Sequence, residues 1–376
     1  MFFMSRKAVV LIGFLPNPRI YKRIELEKTL YDEVHLICWD RGSNMLAAPV
    51  EDGYRVHCIK IDASKDPLKR LVPYKKFSEQ ASALLEEIKP DLVHVQGLDM
   101  LKIACKYKKK YGTRVIYEVA DLHRLLVDKQ KNPVRHVAQF YLKREDKSLT
   151  KHIDLLITTS RKYSERYFDA FVPKEKTLYF PNVPNLKVFE GYQKKKKTDR
   201  LTVGYIGGVR YKKQIFNLLD AVKSCDMGLM LAGFEQEPVE VEPLCRNYRY
   251  GEWVGRFDFS TQVKSLYEKC DIMYSVYDAD MANVRVAIPN KLYEAVYCEM
   301  PLIVAKGTYL EEIVTEWGVG VGVDHRDSAE LTKVLARFKN DADYYNSMAE
   351  NCKLHKEEAD LAVYNQKLAG IIESWD

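Results

Sequence analysis

A glycine-rich turn in the second half of the chain has residues suited to binding an anion. Apolar residues up to Ile206 are followed by Gly207 and Gly208, and then by Arg210 and Lys213. Glycines allow the backbone to approach a ligand closely, and a helix that begins after this turn would point its N-terminus at negative charge. Arginine and lysine add charge-assisted donors. The pattern predicts a phosphate or pyrophosphate cradle, and a basic turn whose glycines serve only its geometry is the alternative.

A second junction between a loop and a helix lies at Ile288–Ala295. Pro289 and Asn290 are typical of a helix start, and we expect Asn290 to be the N-cap. Glu294 lies one turn into this helix, where its carboxylate could accept hydrogen bonds from a diol such as ribose. Taken alone, the position is more typical of an acid stabilised by the helix dipole.

Other sequence patterns give little support to a metal site, a dinucleotide site or a disulfide framework. Asp278-Ala279-Asp280 follows an apolar run and could hold a divalent metal, although so short a pair is more typical of a solvated loop. No G-x-G-x-x-G or P-loop sequence follows any apolar run, so the standard dinucleotide and phosphoryl-transfer sites are not indicated. The eight cysteines form no C-x-x-C pair, so we expect buried thiols in a reducing cytosol.

Elements that could position these residues alternate along the chain. A length of 376 residues favours two domains, and a hydrophobic content of 47% is ordinary for globular proteins. Strands are expected at Ala8–Phe14, Glu33–Trp39, Tyr54–Ile61, Leu92–Gln96, Arg114–Val119, Leu155–Thr159, Thr177–Phe180, Leu201–Ile206, Met227–Leu231, Asp271–Val276, Leu302–Ala305 and Val319–Val323. Helices are expected at Phe77–Ile88, Val134–Leu149, Gln214–Ser224, Ser260–Lys269, Lys291–Glu299, Ser328–Phe338, Asp341–His355 and Ala359–Ser374. This alternation predicts parallel sheets with right-handed crossovers.

The predicted architecture is therefore α/β, with two doubly wound domains in tandem. The first domain is expected over residues 1–190, a charged linker over 191–200 and the second domain over 201–358. The apolar run Ala8–Leu15 is too short to span a membrane and lacks a cleavage site, so it is expected to be a buried strand. In such folds ligands bind at the carboxyl ends of the strands, which favours a site in the cleft between the domains.

The chain resembles the family-4 glycosyltransferases, which have the GT-B architecture. The most specific match is Pro289–Val304, which contains Pro-Asn-Lys-Leu-Tyr-Glu. Further matches fall in family order at Pro16–Arg19, Pro90–His94, Tyr117–Leu122, Thr159-Ser160, Val203–Lys213, Trp253–Arg256 and Leu266–Asp271. The resemblance covers nearly the whole chain. It implies two Rossmann-like domains that face each other across a cleft, with the final helix, 359–376, packed back on the first domain.

The resemblance implies transfer of a sugar from a nucleotide diphosphate sugar to an acceptor hydroxyl, generally with retention of configuration and without a bound metal. Arg210 and Lys213 would be catalytic, because they would neutralise the leaving diphosphate as its charge develops. Glu294 would hold the ribose. The remaining donor-binding residues implied by the family are Gly207, Gly208, Arg256, Asn290 and Lys291, of which Arg256 would border the nucleobase.

The resemblance places the acceptor on the first domain. Asp121 would be catalytic there, and Arg19 and His123 would bind the acceptor. Two positions depart from the family pattern. Val286 occupies the place of the first glutamate of the family's glutamate pair, and Ala120 the place of a histidine or arginine. A subgroup with Pro-Ser/Asn-Lys before the second glutamate also lacks the first, so activity is still expected, with Asn283 or Arg285 as conceivable substitutes.

Charge is divided unevenly between the halves, with a balance of +15 over residues 1–200 and −9 over residues 201–376. A basic half is suited to an anionic surface. With the resemblance, this favours a lipid-linked glycan acceptor, as in cell-surface polysaccharide synthesis, and a cytoplasmic protein peripheral at the inner membrane face. Nucleic acid is not expected, because no binding motif accompanies the basic residues.

Three alternatives remain open. The departures at Val286 and Ala120 allow a catalytically inactive homologue that acts as a partner subunit. Asp278 and Asp280 allow a metal-dependent transferase. The shared architecture also allows a nucleotide-sugar epimerase, which would convert its donor without an acceptor.

Overall fold

The chain folds into two compact units. The computed structural model describes residues 5–42, 48–64, 66, 69–122, 126, 132–194, 200–235 and 240–375. The first unit comprises Met1–Pro181 and Tyr364–Asp376, and the second comprises Asn182–Val363. Each unit is a parallel sheet with helices between its strands, so the predicted α/β architecture with two Rossmann-like domains is confirmed.

The first unit contains a seven-stranded sheet in the order β3-β2-β1-β4-β5-β6-β7. Its strands are β1 (Lys7–Ile12), β2 (Glu33–Asp40), β3 (Arg55–Lys60), β4 (Leu92–Gln96), β5 (Arg114–Val119), β6 (Leu155–Thr158) and β7 (Thr177–Tyr179). Its helices are α1 (Pro18–Glu27), α2 (Leu71–Ile88), α3 (Leu98–Tyr111), α4 (Pro133–Leu149) and α5 (Arg161–Arg166). The central strands are apolar on both faces because helices cover both sides of the sheet.

The second unit contains a six-stranded sheet in the order β10-β9-β8-β11-β12-β13. Its strands are β8 (Thr202–Ile206), β9 (Gly228–Ala232), β10 (Gly251–Gly255), β11 (Ile272–Ser275), β12 (Leu302–Ala305) and β13 (Gly320–Val323). The helices that follow along the chain are α6 (Lys212–Ser224), α7 (Val241–Arg246), α8 (Phe259–Tyr267), α9 (Asn290–Tyr297), α10 (Tyr309–Glu316), α11 (Ser328–Asn340), α12 (Ala342–Leu354) and α13 (Leu361–Glu373). Most of α13 belongs to the first unit.

Some elements differ from the sequence-based expectation. α2 begins at Leu71, six residues before the predicted start, because its first turns have exposed Leu71 and Val72 and lack a buried apolar stripe. Additions to the predicted elements include helices α3, α5, α7 and α10 and strand β10. β10 is an edge strand whose residues are only partly buried, so it has no continuous apolar run.

The first apolar run, the cysteines and the charged segment were also the subject of sequence-based expectations. Strand β1 is buried and paired on both sides, as expected of the apolar run near the start. All eight cysteines are free thiols, and seven of them are buried. Residues 191–194 of the charged segment are held by the second unit, where Tyr192 donates to Cys298 O and Lys194 to Glu299 O.

Among the described residues, no helix combines the length and hydropathy needed to cross a bilayer.

A buried charge network fixes α1 against β4 and β5 in the first unit. Arg23 Nε donates to Glu118 Oε2 at 2.8 Å, and His94 lies 2.7 Å from Glu27 and 3.2 Å from Glu118. The guanidinium of Arg23 also stacks on Phe180, 3.6 Å from the ring centroid. Arg23 is one helical turn after Arg19, and Glu118 is three residues before Asp121. The network therefore sets the positions of two predicted site residues.

The network also perturbs the pKa values of its members. Burial alone would lower the pKa of His94, but hydrogen bonds with Glu118 and Glu27 outweigh it and raise the pKa to about 9. Burial would raise the pKa of Glu118, but Arg23 and His94 outweigh it and hold the pKa below its usual value. Both groups are therefore charged near neutral pH.

In the second unit, close backbone packing holds the glycine-rich turn at the carboxyl ends of β8, β9 and β10. Gly207 N donates to Ala232 O at 2.8 Å, and Gly233 N donates to Gly255 O at 2.7 Å. Gly233 has φ +143°, and a Cβ added to it would lie 1.7 Å from Gly207 O. Only glycine fits there, so Gly233 determines the path of the turn.

We expect His94→Gln to lower stability and to flatten its pH dependence. Breaking a buried ion pair costs about 3–5 kcal/mol. The native pKa of His94 lies above its unfolded value, so its contribution is complete below about pH 6.5 and is lost as the pH rises through about 9. Melting temperatures between these pH values should fall less steeply for the variant than for wild type. Exposed His136→Gln is the control, and parallel profiles for His94→Gln and wild type would contradict the assignment.

We expect Gly233→Ala to destabilise the second unit and displace the cradle. A clash with a backbone carbonyl and a positive φ together cost about 2–4 kcal/mol. Gly370→Ala is the matched control, because a Cβ at Gly370 meets no atom within 4 Å and alanine is the better helix former. Urea unfolding should show a loss for the first variant and a neutral or stabilising effect for the second. Equal stabilities would refute the packing argument.

Candidate functional site

A cavity of about 290 Å³ opens at the carboxyl end of β8. Its walls are the last residues of β8, the turn before α6, the loop after β11 and the start of α9. The lining residues are Tyr205, Ile206, Gly207, Gly208, Arg210, Tyr211, Tyr277, Pro289, Asn290 and Lys291. The lining includes two cationic side chains, Arg210 and Lys291, and no carboxylate among these described residues. The cavity is therefore suited to an anion that also has a flat or hydroxylated part.

The turn that forms one wall is held in an unusual backbone conformation. Gly207 has φ +138°, and Tyr211, just before α6, is left-handed with φ 62° and ψ 62°. Tyr205 donates its hydroxyl to Gly208 O at 2.8 Å, and Val209 N donates to Phe234 O at 2.9 Å. A non-glycine residue in this region costs of order 1 kcal/mol, and such strain clusters at ligand sites. The bonds on both sides of the turn maintain it at the edge of the cavity.

The opposite wall depends on a buried carboxylate. Glu294, in the first turns of α9, is almost fully buried, and its Oε2 accepts hydrogen bonds from Tyr267 Oη and from Lys291 Nζ, the latter at 2.9 Å. Burial, followed by the charge of Glu294, raises the pKa of Tyr267 well above its usual value, so the phenol remains a donor. Lys291 is thereby held beside Gly207, whose added Cβ would lie 3.4 Å from Lys291 Cε.

Asn290 is placed differently from the prediction. The N-cap of α9 is Pro289, whose backbone is extended, and Asn290 is the first helical residue. The expectation that Asn290 caps the helix is wrong, because its Oδ1 accepts a hydrogen bond from Asn182 Nδ2 at 2.8 Å instead. Asn290 nevertheless lines the cavity.

The structure brings together part of the predicted donor set. Gly207, Gly208, Arg210, Asn290 and Lys291 line one cavity. The other three predicted residues, Lys213, Arg256 and Glu294, are not among its lining residues.

Each of these three lies close to the turn or to the cavity wall. Lys213 is exposed on the first turn of α6, and Arg256 is exposed with its guanidinium 4.8 Å from the ring centroid of Phe234. Glu294 lies behind the wall and acts on the cavity through Lys291.

Sequence reasoning missed three tyrosines and one glycine. Tyr205, Tyr211 and Tyr277 line the cavity, and the rings of Tyr211 and Tyr277 are 5.5 Å apart. Tyr277 comes just after a buried strand, where a ligand-binding residue could be expected. Nothing in the sequence indicates the left-handed backbone of Tyr211 or the contact between Gly233 and Gly207.

The carboxylates of the Asp-x-Asp pair lie near a histidine. The ligand atoms of Asp278, Asp280 and His325 lie within 4.8 Å of one another, a spacing compatible with a metal ion. Gln214 Nε2 lies 3.0 Å from His325 Nδ1, and Arg326 forms an ion pair with Asp280. His325 and Asp280 therefore already have partners within the protein. None of the three residues lines the cavity described above.

The predicted acceptor residues belong to the first unit, at the carboxyl edge of its sheet. Asp121 is exposed two residues after the end of β5. Arg19 is on the first turn of α1, which Asn17 caps by accepting hydrogen bonds from Arg19 N and Ile20 N. Burial raises the pKa of Tyr163, the charge of Asp121 raises it further and Arg19 opposes this, so the three side chains share one environment. His123 lies outside the described residues.

Both departures from the family pattern are buried. Val286 is 3% exposed and Ala120 is 7% exposed. Neither position therefore presents a polar group to a ligand. Arg285 is exposed and its guanidinium donates to Asp280 O, away from the cavity lining.

Two family models together match most of the chain. Residues 28–183 match the glycosyl transferase 4-like domain, and residues 190–355 match the family "Glycosyl transferases group 1". No curated protein sequence matches the chain.

Solved structures show the same fold at low sequence identity. The glycosyltransferase from Rickettsia africae aligns with a TM-score of 0.73 at 12% identity, over 99% of both chains. HepE from Anabaena in complex with UDP aligns with a TM-score of 0.71 at 15% identity, over 98% of this chain and 100% of that one. HepE has also been solved with UDP-glucose. A protein described as a putative UDP-N-acetylglucosamine 2-epimerase from Listeria monocytogenes aligns with a TM-score of 0.60 at 12% identity, over 93% and 91% of the two chains.

The domain matches agree with the order of the two units and with the cation-lined cavity in the second. By these two domains the chain belongs to the glycosyltransferases of the GT-B type, with a glycosyl transferase 4-like domain followed by a glycosyl transferases group 1 domain.

Proposed function

We propose that the protein transfers a sugar from a nucleotide diphosphate sugar to an acceptor hydroxyl, with retention of configuration and with the donor diphosphate in the cavity of the second unit. The observation that supports this most directly is that two cations, Arg210 and Lys291, line the cavity, with no carboxylate among its described lining residues. A diphosphate is the anion that such a site and such a domain would recognise.

Electrostatic stabilisation of the leaving group is the proposed catalytic contribution of this site. Cleavage of the sugar–phosphate bond leaves negative charge on the diphosphate, and fixed donors aimed at that charge lower the barrier. Lys291 is fixed by Glu294, and Arg210 follows the turn of Gly207 and Gly208. Lys213 adds a third cation from α6. We propose that these cations replace a metal ion in neutralising the diphosphate.

The nucleoside part of the donor would lie beside these residues. A carboxylate offers about four lone-pair positions, so Glu294 retains acceptor capacity for a ribose hydroxyl after binding Tyr267 and Lys291. Arg256 and the partly exposed ring of Phe234 form a stacked pair that could border the base. UDP-sugars are the first donors to test, because HepE was solved with UDP and UDP-glucose.

The acceptor is proposed to bind the first unit near Asp121 and Arg19, with His123 as a further contact. The +15 balance of residues 1–200 favours an anionic acceptor, for which a lipid-linked glycan of cell-surface polysaccharide synthesis is the proposed class. The protein would then work in the cytoplasm, peripheral at the inner face of the membrane. An inactive partner subunit and a nucleotide-sugar epimerase are the other candidate functions, the first motivated by buried Val286 and Ala120 and the second by the epimerase neighbour.

We expect one nucleotide among UDP-, GDP-, dTDP- and CMP-sugars to raise the melting temperature, since a ligand that binds only the folded state stabilises it. Arg210→Ala should weaken this binding roughly tenfold to a hundredfold, the effect of one charge-assisted hydrogen bond. Lys291→Met should act in the same direction. Exposed Arg246→Ala, also in the second unit, is the matched control.

The same titration is repeated with a chelator. Unchanged binding and turnover would support the metal-independent proposal, whereas loss of either would favour the site of Asp278, Asp280 and His325. No response to any nucleotide, or equal responses of Arg210→Ala and Arg246→Ala, would refute the assigned diphosphate site.

We expect Asp121→Asn to reduce turnover by about a hundredfold or more while leaving donor binding unchanged, because general acid–base or positioning groups contribute on this scale. Release of nucleoside diphosphate is measured with a donor and a membrane lipid extract as the source of acceptor. Exposed Asp169→Asn is the control. Conversion of the donor to its epimer without an acceptor would establish the epimerase instead, and donor binding without any turnover would establish the inactive subunit.

A further inference from the structure

Helix α4 of the first unit buries two polar side chains and exposes its aromatic ones. Its fully buried residues are Gln139 and Asp146, and Leu142 and Leu149 are half-buried, whereas Val134, Val137, Phe140 and Tyr141 are 55–76% exposed. Burial raises the pKa of Asp146 to about 6, which reflects the cost of placing a carboxylate there. A surface helix ordinarily turns such apolar side chains toward the core, so the exposed side of α4 is suited to contact something other than water.

The exposed apolar residues form one continuous patch. At 3.6 residues per turn, they fall within an arc of about 120°, and Gln139 and Asp146 lie roughly opposite. The patch runs from Val134 to Tyr141, about 10 Å along the first two turns. We call these four residues the α4 patch.

Cations follow the α4 patch along the helix: Arg144 lies on the same side, Lys147 at the edge of that side and Lys143 farther round the helix. Lys143, Arg144 and Lys147 are exposed in the next two turns. The two acids of the helix do not offset them, because Glu145 pairs with Lys102 of α3 and Asp146 is buried. Aromatic and aliphatic side chains on one side of a helix, bordered by lysine and arginine, are typical of helices that lie in the interface of an anionic membrane.

A second pair of exposed apolar side chains lies at the start of α2, a helix linked to α4 through α3. Leu71 and Val72, at the start of α2, are exposed to a similar extent and are flanked by Arg70 and Lys75. α2 contacts α3 through the hydrogen bond from Tyr74 Oη to Asp99 O, and α3 contacts α4 through the pair of Lys102 and Glu145. Each helix follows a parallel strand, so the starts of α2 and α4 lie at the carboxyl edge of the sheet, where Asp121 also lies.

We propose that the α4 patch, with Leu71 and Val72, inserts into the surface of a bilayer rich in anionic lipid. The inference rests on the proposed function, in that the surface would orient the edge containing Asp121 toward an acceptor held in the membrane. Apolar side chains that reach 5–10 Å into the headgroup region would gain burial, and Lys143, Arg144 and Lys147 would remain at the level of the phosphates.

Flotation of the full chain with vesicles tests the proposal. Wild type should bind vesicles of phosphatidylcholine mixed with phosphatidylglycerol and bind pure phosphatidylcholine at least tenfold more weakly. Phe140→Ser/Tyr141→Ser should weaken binding at least tenfold, since burial of each ring is lost. Leu354→Ser, at an exposed apolar position in the second unit, is the control.

Charge is tested separately. Lys143→Gln/Arg144→Gln/Lys147→Gln should weaken binding to the mixed vesicles at least tenfold and reduce its salt dependence. Lys223→Gln/Lys333→Gln/Lys353→Gln removes the same net charge from the second unit and should bind as wild type does. Melting with the nucleotide sugar is measured for every variant, so that failure of donor binding is distinguished from failure of membrane binding.

Two results would overturn the inference. One is equal vesicle binding by wild type and Phe140→Ser/Tyr141→Ser. The other is sedimentation of wild type as a dimer that this double variant converts to a monomer, with no binding to either kind of vesicle, because the α4 patch would then be an interface between two copies.

Discussion

The candidate donor site depends on a carboxylate that has been removed from water. Glu294 is buried, and a buried charge is tolerated only where it is paired and hydrogen-bonded. Lys291 and Tyr267 satisfy it, and the consequence reaches the cavity because Lys291 is held beside Gly207. The cation that faces the proposed diphosphate is therefore positioned before any ligand arrives, and a preorganised donor requires no reorganisation during the reaction.

The first unit uses the same principle in a different place. Arg23, His94, Glu118 and Glu27 are buried together, so each charge has an opposite partner. The network joins α1 to β4 and β5 below the edge at which Arg19 and Asp121 lie. In both units, a buried polar cluster lies within one or two turns of the proposed reactive residues and limits their freedom, which is how a fold holds a site to narrow tolerances.

Exceptions to ordinary folding rules coincide with proposed functions in both units. Tyr211 is left-handed next to the cavity, and α4 exposes Phe140 and Tyr141 while burying Asp146. Each exception costs stability in the isolated protein. Sequences generally satisfy local and global preferences together, so places where they conflict are where ligand or surface contacts are expected to compensate.

Periodicity and composition determined the α/β class, nearly all of the strands and the positions of the glycine-rich turn and the Pro-Asn-Lys-Leu-Tyr-Glu segment. This was possible because buried parallel strands are continuous apolar runs, and β4 and β5 match their predicted bounds. Edge strand β10 and the first turns of α2 lacked that signal because their residues are partly exposed.

Only the tertiary structure decided which residues meet. Asn290 bonds to Asn182, 108 positions away in sequence, and Gly233 packs on Gly207, so neither contact follows from local spacing. Glu294 was predicted to hold a ribose, and its contacts with Lys291 and Tyr267 show that it positions a cation. These relations depend on the order in which the parallel strands are arranged, and that order is set by the packing of the whole unit.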